Sequence, residues 1–337
     1  MVFELSDDLA TCPPSNIEAL TVALNNLLIG YYEGNLSLMA SSALCRFFHD
    51  KKLVEGVRQS IALNHLLNNN GYHPDVLWHI KVVVENANPE KHELDISFFA
   101  KTESIQPTSL LCENLEDTKF YLKLSEMFRP DNPMVAVGRN GGGGTTADVF
   151  RAIQRRNVVC LAILDSDVKY PDCEQGNTAR RCVNSLQKKY ANLEVKVLPV
   201  HEAENLVPIS FMLQKACAEG VVFLKRLLKK SRLDQLVFYD VKEGITKEKA
   251  NEHIKYKDFA ETLFRITNPR NPNGFEAFFA LKKESDNLFP ELHPDMLSLF
   301  VADKSPQYQS DDLDSYRKEI ADLVYTYLCC RGTDPIH

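Results

Sequence analysis

The chain has 337 residues, of which 44% are hydrophobic and 25% charged, a composition typical of globular proteins with two or three domains. Its formal net charge of -7 argues against a protein that coats nucleic acid passively, because such proteins are usually basic. The sequence contains no apolar run approaching about 18 residues and no basic N-terminal stretch leading into an apolar one. We therefore expect neither a membrane span nor a signal peptide.

Cysteine usage indicates the compartment. The chain has nine cysteines, an odd number, and no CxxC pair. We expect buried free thiols in the reducing cytoplasm. A structural zinc site built from scattered ligands is the alternative.

Residues 1–106 predict an α+β region whose role the sequence does not reveal. A first helix starts after a capping box formed by Ser15 and Glu18, and a second helical stretch covers about residues 36–67. Two strand-like segments, VLWHIKVVVE and HELDISFFA, follow on either side of the turn NANPEK. That arrangement predicts a β-hairpin.

The pattern changes to alternating strands and helices over residues 107–215. Strands are predicted at 109–113, 134–137, 158–164 and 194–200, with helices at 116–128, 145–156 and 178–190 between them. Such βα units predict a mainly parallel, Rossmann-like sheet. Residues 216–337 form a mostly helical C-terminal region, with VFYD (237–240) as a further predicted strand.

Acidic residues follow three of these strands. In a parallel sheet of this kind, ligands bind beyond the carboxyl ends of the strands. Each acidic group alone is commonplace, since solvated loop charges and helix caps look the same. Together they predict a site for hard divalent cations, which prefer oxygen ligands. If the third strand continues through Asp165-Ser166-Asp167, both aspartates point the same way. The residues concerned are Glu113, Asp117, Asp165, Asp167, Glu202 and Glu204.

Three segments resemble the motifs of Toprim domains, as found in OLD-family and related prokaryotic anti-phage nucleases. They are LLCENLEDTKFY, LAILDSD and LPVHEAENL. The resemblance implies a Toprim domain that uses Mg²⁺, with Mn²⁺ as a substitute. It further implies that Glu113 is the general acid/base or first metal ligand and that Asp165 and Asp167 hold Mg²⁺. Glu204, Glu202 and Asp117 complete a second metal site.

One position departs from the family pattern. Many Toprim sequences have glycine after the first glutamate, where this chain has Asn114. Asparagine tolerates left-handed backbone geometry better than most residues, so we expect the turn to survive.

A lysine near the metal ions is a further expectation from the nuclease-type relatives. Lys242, which closely follows the predicted strand VFYD, is the best candidate, and Lys215 is a weaker one. A positive charge there would stabilise the charge that develops on phosphate. The alternative is an exposed lysine in a turn.

Glycines 138 and 141–144 lie between a strand and a helix, but the phosphate-loop pattern GxxxxGK[ST] is absent. Gly141, Gly142 and Thr145 either contact the substrate backbone or form a plain turn, with Thr145 as helix N-cap in both cases.

A basic stretch, residues 207–232, carries six basic residues against one acid. It either neutralises a phosphate backbone or forms a solvated helix face. The residues expected to bind substrate there are Lys225, Arg226, Lys229 and Lys230.

These features predict a cytoplasmic, Mg²⁺-dependent nuclease that hydrolyses phosphodiester bonds in DNA or RNA. The resemblance suggests a phage-defence effector that works with a separate ATPase partner, since the sequence has no Walker motif. A hydrolase of nucleotides or small phosphate esters is one alternative. A non-catalytic Toprim scaffold that binds a partner protein is another. Homo-oligomerisation stays open.

Overall fold

The computed structural model describes residues 1–68, 75–130, 133–186, 188–304, 306 and 308–330. It has a mixed α/β fold containing two four-stranded parallel sheets. The chain divides into two compact units. The first unit comprises Met1–Ile163, Arg181–Lys196 and Ile320–His337, and the second unit comprises Leu164–Arg180 and Val197–Glu319.

The first sheet belongs to the N-terminal part of the first unit and has the strand order β2-β1-β3-β4. Its three strand pairs are all parallel. α1 buries Leu20, Leu24 and Leu27 at helical spacing, as its apolar stripe predicts. The elements of this region are β1 (Val2–Leu5), α1 (Ile17–Tyr32), β2 (Ser37–Met39), α2 (Ser42–Asp50), α3 (Val57–Asn68), β3 (Ile80–Val83) and β4 (Glu93–Asp95).

The predicted hairpin is wrong, because β3 and β4 pair in parallel. The chain between them contains a 3₁₀ turn at Pro89–Lys91, followed by His92 at φ 54°, and then enters β4 in the same direction. Residues 96–100, predicted as strand, form a 3₁₀ helix. The region is therefore a parallel α/β sheet, and the predicted α+β arrangement is corrected.

The long helical stretch predicted over residues 36–67 is also wrong. The Ser41 hydroxyl accepts a hydrogen bond from the Leu44 N–H (3.1 Å), so a new helix begins there. Lys52 at φ 55° and Gly56 at φ 88° then separate α2 from α3. At α1, the expected capping box is absent, because the Ser15 hydroxyl donates to Asn16 Oδ1 instead (3.1 Å).

The second sheet has the order β6-β5-β7-β8 and confirms the prediction of parallel βα units. β5 and β7 are buried along their whole length, which explains their continuous apolar sequences. Leu111, Phe150 and Ala162 form part of the core between sheet and helix. The elements are β5 (Ser109–Cys112), α4 (Leu115–Phe128), β6 (Val137–Asn140), α5 (Thr146–Gln154), β7 (Cys160–Leu164), α6 (Asn177–Ser185) and β8 (Leu193–Val197).

β6 starts later than the predicted strand at 134–137. Met134 forms an antiparallel bridge with Cys329, and the Val135 N–H donates to the Leu328 carbonyl (3.0 Å). These contacts take residues 134–135 out of the sheet, so that pairing with β5 begins at Val137.

The second unit is mostly helical, with one short antiparallel strand pair, β9 and β10. The predicted strand at 237–240 is wrong, because Leu233–Phe238 is a 3₁₀ helix. The remaining elements in chain order are α7 (Ile209–Lys215), α8 (Ala218–Lys229), β9 (Ile245–Thr246), α9 (Lys247–Asn251), α10 (Ile254–Thr267), α11 (Phe275–Leu281), β10 (Asn287–Phe289), α12 (Met296–Ala302) and α13 (Asp314–Leu328).

Candidate functional site

The six predicted acidic residues divide between the two units. Glu113 and Asp117 lie in the first unit, and the other four lie in the second. These residues lie in three short segments. The capping segment is residues 113–117, the Asp loop is residues 165–167, and the Glu loop is residues 202–204.

The capping segment closes the N-terminus of α4. Asn114 Oδ1 accepts hydrogen bonds from the N–H groups of Glu116 (2.8 Å) and Asp117 (3.0 Å). Asp117 Oδ2 in turn accepts one from the Asn114 N–H (3.1 Å), which completes a capping box. Asn114 is extended (φ -139°, ψ 171°), so the left-handed turn expected there is wrong. The structure thus gives the buried Asp117 a helix-capping role.

Glu113 is half-buried and lies within electrostatic range of α6. Burial raises the pKa of the Cys182 thiol to about 11, and the Glu113 carboxylate adds to that rise. The Glu113 carbonyl also accepts hydrogen bonds from the N–H groups of Gly142 (3.0 Å) and Gly143 (3.4 Å). The backbone of Glu113 therefore anchors the glycine run.

The glycine run forms an internally bonded turn. The Gly141 N–H donates to the Cys112 carbonyl (2.8 Å), and Gly142 has φ 70°. Thr145 sits at the N-cap of α5, but its hydroxyl donates to the Gly141 carbonyl (2.6 Å) and makes no cap hydrogen bond. The prediction that Thr145 is the N-cap residue is confirmed, although its side chain does not cap the helix. Because the N–H groups of Gly141 and Gly142 have partners inside the protein, this geometry favours a plain turn over a phosphate cradle.

The Asp loop leaves the strand immediately after β7. Asp167 has φ 54°, so the strand does not continue through the loop, and the alternation expected for Asp165 and Asp167 is wrong. The Ser166 hydroxyl donates to the Val200 carbonyl (2.6 Å) and the Asp167 N–H to the His201 carbonyl (3.0 Å). The Asp loop is thus fixed against the chain that enters the Glu loop.

Gly176 lies against the Asp167 carboxylate. A Cβ atom at Gly176 would fall 2.0 Å from Asp167 Oδ2, and the Gly176 N–H donates to the Ser166 carbonyl (2.8 Å). Glycine is therefore required here for this placement of Asp167. The sequence analysis missed Gly176, because the close approach involves a residue nine positions earlier in a loop.

The Glu loop is buried, and a lysine from elsewhere in the second unit bridges its two glutamates. Lys242 Nζ lies 2.9 Å from Glu202 Oε2 and 3.0 Å from Glu204 Oε1. Asp165 Oδ1 accepts a hydrogen bond from the Ala203 N–H (3.0 Å), which connects the Asp loop to the Glu loop. The structure therefore brings Asp165, Asp167, Glu202, Glu204 and Lys242 into one neighbourhood. Lys215, the weaker candidate, instead lies with its ammonium over the Phe211 ring (5.5 Å).

Two buried residues that the sequence analysis missed hold this neighbourhood in place. Asn205 Nδ2 donates to the carbonyls of Leu236 (2.6 Å) and Tyr239 (2.7 Å), while its Oδ1 accepts from the Glu202 N–H (2.8 Å). Asn205 thereby connects the Glu loop to the chain that leads to Lys242.

Arg317, which is fully buried, supports the chain just after the Glu loop. Its Nε donates to the Leu206 carbonyl (2.8 Å) and its Nη2 to the Val207 carbonyl (3.2 Å). Its Nη1 pairs with Asp311 (2.7 Å) and Asp314 (2.6 Å). These contacts satisfy the buried charge.

The charged groups of the Glu loop and Lys242 are partly or fully buried and affect one another's pKa. Burial raises the pKa of Glu202 to about 8, and the neighbouring Glu204 adds to the rise, while Lys242 opposes it. For Lys242, burial acts to lower the pKa, but the two glutamates outweigh it and the pKa is raised. We conclude that the lysine stays charged beside the two glutamates.

His201 precedes the Glu loop and is buried. Burial lowers the pKa of its imidazole, and the charges of Asp240 and Asp167 oppose that change. Its Nδ1 has no hydrogen-bond partner in the part of the chain that the structure describes. A second lysine, Lys249, pairs with Asp240 (2.9 Å) and Glu243 (2.6 Å), which adds a separate ion-pair group to this side of the unit.

A divalent cation would find ligands of the right chemistry here, but not a closed set. Within residues 1–68, 75–130, 133–186, 188–304, 306 and 308–330, no three His, Cys, Asp or Glu side chains are grouped to hold a metal ion. Glu202 is 93% buried by its relative accessible surface of 7%, and its Oε1 lacks a hydrogen-bond partner among the described residues. That unsatisfied carboxylate oxygen fits Mg²⁺, which commonly binds one or two carboxylates and completes its shell with water and phosphate.

The basic residues predicted to contact substrate lie on α8 or just after it. Lys225, Arg226, Lys229 and Lys230 are all exposed, and none has an ion-pair partner within the described part of the chain. Arg226 also lines a cavity of about 450 Å³ beside apolar residues such as Phe223 and Phe264. Both a substrate contact and a solvated helix face are compatible with this placement.

The described residues contain nine cysteines, and no disulfide bond joins them. Six of the nine cysteines are buried, and Cys217 is the exposed one. No helix in the described part of the chain combines the length and the apolar character that crossing a lipid bilayer requires. Comparisons of this chain with protein-family models, with curated proteins and with solved structures found no match.

Proposed function

We propose that the chain is a Toprim-like, Mg²⁺-dependent nuclease that hydrolyses phosphodiester bonds in DNA or RNA. The observation that carries the proposal is the joining of the Asp loop to the Glu loop, with Lys242 between the two glutamates. Carboxylates that follow separate strands are thereby held together beside a cation. That combination supports chemistry on a phosphate group.

Each residue of this neighbourhood has a role in the proposal. Asp165 is oriented by the Ala203 N–H, and Glu202 and Glu204 present carboxylates from a buried loop. Lys242 pairs with both glutamates while substrate is absent and turns to the phosphate oxygens when substrate binds. When bound, Mg²⁺ supplies a polarised phosphoryl oxygen and an activated water. The role of Glu113, which lies in the first unit, as general acid/base rests on the resemblance alone.

Several aspects of the proposal rest on the resemblance alone. These are the Toprim identity, the role in phage defence and the separate ATPase partner. The free thiols support a reducing compartment such as the cytoplasm.

A second candidate is a non-catalytic scaffold that binds a partner protein. The observation that favours it is the same lysine, because Lys242 already satisfies two carboxylates that a metal ion would otherwise hold. The capping role of Asp117 points the same way. In a scaffold, the acidic cluster would be a structural ion-pair network.

One experiment separates the two candidates. The protein is incubated with plasmid, single-stranded DNA, single-stranded RNA and transfer RNA, each with Mg²⁺, with Mn²⁺ and with EDTA. The nuclease proposal requires cleavage of at least one substrate that EDTA abolishes and that Asp165→Asn removes. Asp172→Asn is the matched control, because Asp172 is exposed, follows Asp167 by five residues and has Lys255, at 4.0 Å, as its one ion-pair partner among the described residues. No cleavage in any arm, or equal activity in Asp165→Asn, would overturn the proposal.

A further inference from the structure

A second candidate site lies in the first unit, between α5 and α6. A cavity of about 570 Å³ opens there, and it is lined by Arg151, Gln154, Arg155, Arg181, Asn184, Ser185 and Tyr190. A smaller cavity of about 290 Å³ shares Arg151 and Arg155 and adds Asp148. The larger volume is within the range of small-molecule sites.

The lining is strongly positive. Three arginines face a single carboxylate, Asp148, which pairs with Arg151 and lies 3.6 Å from Arg181. Arg155 has no ion-pair partner among the residues that the structure describes. Two positive charges are therefore uncompensated within the lining. An anion that enters would find guanidinium groups in excess.

Two of the three arginines are held in place by the backbone. Arg181 Nη1 donates to the Gly144 carbonyl (3.0 Å), and Arg151 Nε donates to the Ala147 carbonyl (3.3 Å). Gln154 Nε2 donates to the Ser185 carbonyl (3.3 Å), which joins the two helices across the cavity. A guanidinium has five N–H donors, so each arginine keeps donors for a ligand after these contacts.

The lining also contains an aromatic ring and polar side chains. Tyr190 packs against the core of the second sheet, and Lys188 Nζ lies 5.3 Å from the centre of its ring. Asn184, which is exposed, also lines the cavity. A ligand that fills the cavity therefore meets aromatic and polar groups as well as the arginines.

We propose that this cavity binds a phosphate ester of mononucleotide size, with the phosphate on Arg151, Arg155 and Arg181. Guanidinium groups match the geometry of phosphate oxygens in paired hydrogen bonds, and the two uncompensated positive charges favour a dianionic phosphate over a monovalent anion. The volume exceeds what inorganic phosphate fills, so the ester group contributes contacts as well. The site shares no residue with the Asp loop, the Glu loop or Lys242, and it stands or falls independently of the nuclease proposal.

Calorimetry in EDTA tests this without interference from hydrolysis. The probes are adenosine 5′-monophosphate, adenosine and inorganic phosphate. We expect the monophosphate to bind about tenfold or more tightly than adenosine, because charged hydrogen bonds to phosphate are among the strong ones. It should also bind more tightly than inorganic phosphate. Equal binding of the monophosphate and adenosine would overturn the proposal.

Variants locate the binding. Arg155→Gln should weaken monophosphate binding about tenfold, whereas Arg156→Gln, a change at an exposed neighbour outside the lining, should leave it unchanged. Equal losses in both variants would show unspecific attraction to surface charge and would overturn the site.

A short single-stranded oligonucleotide identifies the source of the phosphate ester. If the oligonucleotide competes with the monophosphate, and Arg155→Gln also weakens binding of the oligonucleotide, the cavity binds a nucleotide within a strand. If the oligonucleotide does not compete while the monophosphate binds, the cavity takes a free nucleotide. Both results support a phosphate-ester site in this cavity and differ only in the source of the ester. If neither the monophosphate nor the oligonucleotide binds, the proposal is overturned.

Discussion

The capping segment and the pair formed by the Asp and Glu loops look alike in sequence but are built differently. In the capping segment, the side chains of Asp117 and Asn114 each accept a hydrogen bond from the backbone N–H of the other. The Asp117 carboxylate thereby caps the start of α4. In the paired loops, buried glutamates meet a lysine, and Glu202 keeps an oxygen without a hydrogen-bond partner in the described part of the chain. An acidic residue after a strand therefore indicates function only when its local hydrogen bonds leave capacity for a ligand.

The largest expected effect comes from removing the support of the Glu loop. Arg317→Met should lower the free energy of unfolding by about 3–5 kcal/mol, because it leaves buried Asp311 and the carbonyls of Leu206 and Val207 without their partner. Urea unfolding followed by circular dichroism measures this. Arg265→Met, at an exposed pair with Glu261, is the control and should change little. Similar losses in both variants would contradict the structural role of Arg317.

The next effect is on activity. Glu204→Gln should lower the cleavage rate by about a hundredfold, as removal of a group that stabilises charge in the transition state typically does. Glu243→Gln is its control, because Glu243 is an exposed glutamate that pairs with a different lysine, Lys249. Rates are measured on whichever nucleic acid the wild type cleaves. Equal rates in Glu204→Gln and wild type would remove the Glu loop from the active site.

A smaller effect should follow from crowding the Asp loop. Gly176→Ala places a methyl group where Asp167 Oδ2 lies, and overpacking of this kind costs about 1–3 kcal/mol. We expect lower stability together with a loss of Mg²⁺-dependent cleavage. Gly144→Ala, where a Cβ would meet nothing within 4 Å, should change neither property. Unchanged cleavage in Gly176→Ala would show that the position of Asp167 does not matter.

The buried Glu202 predicts a pH dependence of stability. Its pKa in the folded protein is raised from 4.5 to about 8, so the folded state holds a proton that the unfolded chain has already released within this range. Stability is therefore present below pH 4.5 and is lost as pH rises towards 8, at a slope of up to about 1.4 kcal/mol per pH unit. Urea unfolding in EDTA at several pH values should show a shallower slope for Glu202→Gln. Parallel slopes in both proteins would contradict the raised pKa.

The smallest effect should arise at the capping segment. Asn114→Ala removes two hydrogen bonds at the start of α4 and should cost about 1 kcal/mol. If the role of Asn114 is purely structural, this variant keeps its cleavage rate at a temperature where it is folded. Asn114→Ser, which can still cap the helix, should restore most of the stability. A loss of cleavage in a stable Asn114→Ser variant would place Asn114 in the active site.

The sequence predicted the parts of the molecule that depend on short-range patterns. The parallel order around β5 and β7 followed from continuous apolar strands between helices, and the proximity of Lys242 to the Glu loop was anticipated from the resemblance. The predicted hairpin failed because the direction of β4 is set by its pairing partner, which a local turn pattern does not encode. Asn205 and Gly176 were missed because their contacts join loops that lie apart in sequence.

Lys242 has a consequence for handling the protein. Since its ammonium group pairs with both glutamates, the buried carboxylates have a cationic partner without an added ion. Chelators should therefore leave the thermal melting curve nearly unchanged. A protein purified in EDTA is accordingly a valid starting material for titration with metal ions.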